Sequence, residues 1–216
     1  MPAHHYHRKL PHFQPAEATF FVTFRLAGSM PVEVLRRLRE NYELVQRGIL
    51  GQSDLTEREQ RELVYGEQKR LFAATDEFLD TNPNGPYWLR ERAMAEVVAN
   101  ELLLHDGQWY TLWSYCIMPN HVHVLLTLHE KAPTLTKIMQ NIKGYSAQKV
   151  NKLLSLSGQF WERESCDHVV RKDGEFGRIL NYILQNPVKA KFVKAWPDWQ
   201  WTYLHPDFMA TERVTV

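Results

Sequence analysis

A chain of 216 residues, 44% hydrophobic and 24% charged with a formal net charge of +1, is long enough to bury a real core as one generous domain, with room for a helical insertion. No apolar run approaches bilayer length and the polar start lacks an apolar signal core, so membrane spanning and export are not expected; a cytoplasmic location is. Cys116 and Cys166 stand in no metal-like spacing and read as reduced thiols.

Residues 1–17 read as an N-terminal arm rich in His, Pro and basic residues. Its scattered histidines suit adventitious better than designed metal binding. Thr19 to Leu26 is β-branched and aromatic and predicts a strand buried on at least one face, ended by Gly28 and Pro31. Val34, Leu35, Leu38, Tyr42 and Val45 recur at helical spacing to about Arg47. Residues 48–85 read as a helical insertion. It holds an acidic helix from Leu55 to Leu79, and Asp54 to Asp80 carries eight acidic against four basic residues.

A helix follows with Trp88, Leu89, Met94, Val97, Val98 and Leu102 as its apolar positions. Tyr110 to Met118 and His121 to Leu126 predict a β-hairpin joined through Pro119-Asn120. The next helix runs from about Thr134 to Leu154. Gly158 to Trp161 reads as a short strand and His168 to Arg171 as another, and a last helix from Phe176 ends at Asn186-Pro187. Residues 187–216 read as a C-terminal extension whose Trp196, Trp199 and Trp201 dock on the body. This order is an α+β plan, a small ferredoxin-like antiparallel sheet with helices packed on one face, in a single domain over 1–216.

The organising stretch is Met118-Pro119-Asn120-His121-Val122-His123. Strand alternation sends His121 and His123 to one face and Val122 and Val124 to the other. Two neutral imidazoles side by side suit a divalent metal with open positions, although a His-x-His pair alone fits a half-exposed strand equally well. On the Thr134–Leu154 helix, Tyr145 falls on the border of the apolar stripe, with Gln148 on the same border. A border tyrosine is usually an amphipathic filler. Placed near the histidines, with Lys137, Lys143, Lys149 and Lys152 around it and no acid on the helix, it reads as a nucleophile toward phosphorus. Tyr182, in an apolar helical run, reads as core. The lysine faces, including Lys189, Lys191 and Lys194, fit phosphate contact, or simply solvation.

The stretch around the histidines, followed by Lys143-Gly144-Tyr145-Ser146-Ala147, resembles the single-tyrosine HUH transposases of insertion sequences. Gly158 to Glu164, Asp167 to Arg171, and Ile179 to Ala190 are similar to their REP-associated tyrosine transposase branch. The resemblance runs from about Pro11 to Trp201. It implies a ferredoxin-like core that cuts and transfers single-stranded DNA at hairpins of REP-type palindromes, using Mg²⁺ or Mn²⁺ and a 5′-phosphotyrosine intermediate that leaves a free 3′-OH. It further implies a nucleoid-associated protein, monomer or homodimer. Carried over, His121 and His123 are metal ligands and Tyr145 the nucleophile. In related transposases a polar residue, often four positions after the tyrosine, completes the metal site. Here that position is Lys149, a poor ligand, and helix geometry offers Gln148 instead. The family reads a guide sequence partly through its N-terminal region, which adds Arg8 and Lys9 to the DNA-contact candidates Lys137, Lys143, Lys149, Lys152, Lys189 and Lys191. Asp167 and His168 match a family motif without a derivable role.

Two rivals remain on sequence alone. One is a silent nucleic-acid-binding module, which has no need of the His pair and a tyrosine. The other is a metal-dependent phosphodiesterase using water, which forms no covalent adduct.

Overall fold

The computed structural model describes residues 17–82, 84–171 and 174–209, so Arg8 and Lys9 lie outside the described residues. Five strands, β1 (Thr19–Arg25), β2 (Tyr110–Ile117), β3 (His121–Leu128), β4 (Cys166–Val169) and β5 (Thr202–Leu204), form one antiparallel sheet in the order β4-β1-β3-β2-β5. β1 and β3 are central because their sequences are apolar on both faces, and a strand covered on both sides needs such a run.

Alternation divides these residues between two cores. Phe20, Val22 and Phe24 of β1 and Val122, Val124 and Leu126 of β3 share one core with α3 (Arg92–Leu103) and α4 (Leu135–Leu154). Phe21 and Leu125 face the other way, into a core shared with Leu180, Ile183 and Leu184 of α5 (Glu175–Lys189). Phe72 of α2 (Glu57–Thr81) packs against that second core, and α2 in turn packs against α1 (Val32–Leu50). The α+β class and antiparallel sheet are those expected. The helices also cover the second face, and this decides what surrounds the histidines.

Local chemistry accounts for the element ends. Thr56 and Glu59 form a capping box at the start of α2, the Thr56 hydroxyl accepting from Glu59 N at 3.3 Å and Glu59 accepting from Thr56 N at 2.8 Å. Trp88 to Arg90 forms a separate 3₁₀ turn before α3 rather than its first turn. Of the expected Gly158–Trp161 strand, only Trp161 pairs, bridging Leu26. The last long helix does not stop before Pro187. It runs to Lys189, because a proline in the last turn removes one donor while Ala190 N still bonds the Asn186 carbonyl at 3.0 Å. The tail docks: β5 (Thr202–Leu204) extends the sheet beside β2, and Trp199 Nε1 donates to the Ile117 carbonyl at 3.0 Å. A short α6 (Pro206–Met209) ends the described chain.

Candidate active site

His121 and His123 do share one face of β3, and it is the face that α2 and α5 cover. Both imidazoles are fully buried. Each is oriented through Nδ1: His121 Nδ1 is 2.7 Å from Asn120 Oδ1, and His123 Nδ1 is 2.7 Å from Thr23 Oγ1. A carboxamide oxygen can only accept, so His121 carries its proton on Nδ1 and turns the Nε2 lone pair inward. The two Nε2 atoms stand 3.1 Å apart. Burial, and then the neighbouring imidazole, push His121 down to about 3, so it is neutral across the physiological range, as a metal ligand must be.

Three further polar groups converge on this pair. Asp76 of α2 brings Oδ1 to 3.1 Å from His123 Nε2 and 3.5 Å from His121 Nε2. Asn186 of α5 stands with its amide nitrogen 3.1 Å from His123 Nε2. Tyr182, one turn earlier on α5, donates its hydroxyl to Asp76 Oδ2. Burial alone would raise the Asp76 carboxyl, but His123 and His121 hold it below the ordinary aspartate value. Asp80, one turn further along α2, lies 3.9 Å from His121 and is pushed up to about 7 by burial and by Asp76.

The donor set fits a divalent cation. Asp76, His121 and His123 each offer a ligand atom within 4.8 Å of the others. Asp76 Oδ1, Asp80 Oδ1 and Asn186 Oδ1 are buried oxygens without a hydrogen-bond partner, which costs stability unless a cation or water satisfies them. Turning the Asn186 carboxamide over presents its oxygen to the same point. Imidazole nitrogen with carboxylate and amide oxygen is a mixed donor set that suits a divalent cation.

The remaining candidates lie elsewhere. Helix α4 packs on the opposite sheet face, so it does not face the histidines, and Tyr145 is 54% exposed there. Gln148 is also exposed on α4 and is not brought to the pair. The physical reason is connectivity: the chain leaves β3, crosses the first face as α4 to reach the β4 edge, and returns across the second face as α5. Lys149 pairs with the buried Glu101 at 2.5 Å, and Lys143 donates to the Arg163 carbonyl and to Ser165 Oγ. Lys137 and Lys152 are exposed on α4. Lys189, by contrast, sits over the Tyr182 ring at 4.5 Å, and the exposed Lys191 follows α5.

Asp76, Tyr182 and Asn186 were missed by sequence reading, yet each left a signal. Asn186 follows Tyr182 by four residues, the spacing at which Tyr145 offers only Lys149, a poor ligand. Asp76 interrupts the stripe Tyr65, Phe72, Leu79 on α2, an acid where an amphipathic helix should be apolar.

Residues 100–186 match the family model described as Transposase IS200 like. A protein of Haemophilus influenzae named as a REP-associated tyrosine transposase is 27% identical over 104 residues, 44% of this chain and 59% of that one. A REP-associated tyrosine transposase of Escherichia coli K12 is 27% identical over 94 residues, 44% of this chain and 54% of that one. The chain thus spans a little over half the length of the curated relatives it matches. A solved structure of a REP-associated tyrosine transposase bound to a REP hairpin shares the fold at a TM-score of 0.58, with 14% identity, covering 95% of this chain and 87% of that one. The matched region carries the His pair and Tyr182 together, and in sequence over this region the chain is similar to IS200-like transposases and to their REP-associated tyrosine transposase relatives.

Proposed function

We propose that this protein cuts and rejoins single-stranded DNA beside a hairpin, with Tyr182 rather than Tyr145 as the nucleophile. The observation that carries the assignment is the hydroxyl of Tyr182 on Asp76, with Asn186 one turn along on His123, all against the His pair. His121, His123, Asp76 and Asn186 are the residues that hold a divalent cation, Mg²⁺ or Mn²⁺, which when bound polarises the scissile phosphate.

The Tyr182 oxygen forms a bond to phosphorus, the bond from phosphorus to the 3′ oxygen breaks, and a 5′-phosphotyrosine and a 3′-OH result. The phenolic proton passes to solvent or a neighbouring carboxylate, and the departing 3′ oxygen takes a proton from solvent. The position of Lys189 over the Tyr182 ring supports a role for it in holding the DNA backbone. Attack by a second 3′-OH reverses the step and joins a new strand. A hairpin of the REP type as the recognised element is supported by the relatives' names and by the hairpin complex of the similar fold.

The test is a denaturing gel of hairpin-bearing single-stranded DNA incubated with protein and Mn²⁺. Tyr182→Phe is expected to give no covalent adduct and no cut strand, whereas Tyr145→Phe gives both. Peptide mapping should put the DNA on the peptide holding Tyr182. An adduct on Tyr145 would restore the α4 tyrosine as nucleophile, and cutting with no adduct would indicate a water-using phosphodiesterase.

A further inference from the structure

Helix α2 carries more than Asp76 on the face turned to the body. Tyr65, Lys69, Phe72, Asp76 and Asp80 follow at spacings of four, three, four and four, one continuous stripe. Near the start of that stripe the Tyr65 hydroxyl donates to Glu175 Oε1 at 2.5 Å and lies 2.8 Å from His168 Nε2. Glu175, the first residue of α5, is 3% exposed. It also accepts from Arg171 N at 3.1 Å and lies 3.3 Å from both Lys69 Nζ and His168 Nε2. Lys69 lies over the Tyr65 ring at 4.2 Å. A buried carboxylate with this many partners is strongly committed to its geometry.

At the other end Asn120 donates to the Leu79 carbonyl at 2.9 Å while its Oδ1 orients His121. Between the two attachments Phe72 packs on Phe21, His123 and Tyr182, with ring centroids 5.2, 6.2 and 6.1 Å away. The helix is therefore fixed at both ends, with Asp76 as the group it delivers.

We propose that the Tyr65–His168–Glu175 cluster is a positioning clamp that sets helix α2 so that Asp76 holds the metal through Oδ1 and the Tyr182 hydroxyl through Oδ2. The inference rests on the reading of His121, His123 and Tyr182 given above. It assigns a role to His168, half of the sequence motif left without one. Tyr65 and Asp76 are eleven residues apart, about 16 Å along a helix, so the clamp reaches the metal only through the helix. The Asp76 carboxylate bridges two jobs that must be registered together: a nucleophile aimed at phosphorus and a cation on the same phosphate.

The test is a double-mutant cycle read by Mn²⁺ binding in electron paramagnetic resonance titrations, without DNA. Asp76→Ala is expected to weaken Mn²⁺ binding by at least about 10-fold. Tyr65→Phe, which removes only a hydroxyl, weakens it by about 10-fold, the low end of losses behind a metal's ligands. Asp76→Ala/Tyr65→Phe should bind no more weakly than Asp76→Ala alone, since the clamp acts through that carboxylate. In the cutting assay Tyr65→Phe lowers kcat for adduct formation with little change in the KM for DNA. His168→Gln, a second change to the same clamp, should reproduce both effects, and a thermal melt of each variant confirms the folded protein. Unchanged Mn²⁺ affinity in Tyr65→Phe and His168→Gln, or a Tyr65 effect that persists in full without Asp76, overturns the clamp. Unchanged affinity in Asp76→Ala overturns Asp76 as ligand. None of these results touches the site of the covalent adduct, so failure here and failure of the Tyr182 assignment are distinguishable.

Discussion

Asn186 illustrates how much a single residue contributes when burial removes every alternative. It is 1% exposed, its nitrogen serves His123 and Asp76 at 3.1 and 3.4 Å, and its oxygen serves neither. An orphaned buried carbonyl is costly, and a cation beside His123 removes the cost. Asn186→Ala is therefore expected to weaken Mn²⁺ binding by about 10-fold or more, with the adduct yield falling in parallel. Wild-type affinity in a Mn²⁺ titration would remove Asn186 from the site. Residue-level reading of the sequence found both histidines because their chemistry is explicit. It passed over Tyr182 because an aromatic in Ile179–Leu184 looks like filler; only the proximity of Asp76 distinguishes this phenol from a core one.

Among the elements, α2 is the one whose placement matters most, because it brings Asp76 to the histidines. Its outer face is exposed charge, with pairs such as Arg61 on Glu57 at 3.3 Å that contribute little. The capping box at Thr56 and Glu59 gives it a fixed start. Thr56→Ala is expected to destabilise the protein by about 0.5–2 kcal/mol, read as a shift in the urea midpoint at unchanged slope. A shift beyond that range would mean that Thr56 has a tertiary role in addition to its cap. The helix itself was legible from composition and spacing. Its function was not, because eight acids among residues 54–80 look like a solvated surface until two of them, Asp76 and Asp80, are found turned inward.

At the scale of the molecule the two lysine sets fall on opposite sides of the sheet. Lys189 ends α5 over the Tyr182 ring and Lys191 follows just after it, while Lys137 and Lys152 lie on α4 with Lys143 and Lys149 already bonded within the fold. For a short single strand lacking the hairpin, replacing Lys189 and Lys191 with Ala should flatten the logarithmic salt dependence of binding by about 1.4. The same change at Lys137 and Lys152 should leave that slope unaltered. The reverse pattern would route the strand over α4.

The sequence by itself determined the β-hairpin, the paired histidines on one strand face, and the extent of the long helices to within a turn or so. All of these are local: period-2 and period-3.6 patterns and short motifs carry them within a few residues. Which helix meets the histidines was decided only in the tertiary structure. An amphipathic stripe says that α4 and α5 each bury one side against a sheet, but a sheet has two sides and the stripe is the same for both. The order β4-β1-β3-β2-β5 sends α4 across one face and α5 back across the other, and that crossing brings Tyr182 and Asn186 to His123 while leaving Tyr145 on the far side. Asp76 reaches the site from some 45 residues before the histidines, a separation over which no sequence periodicity persists.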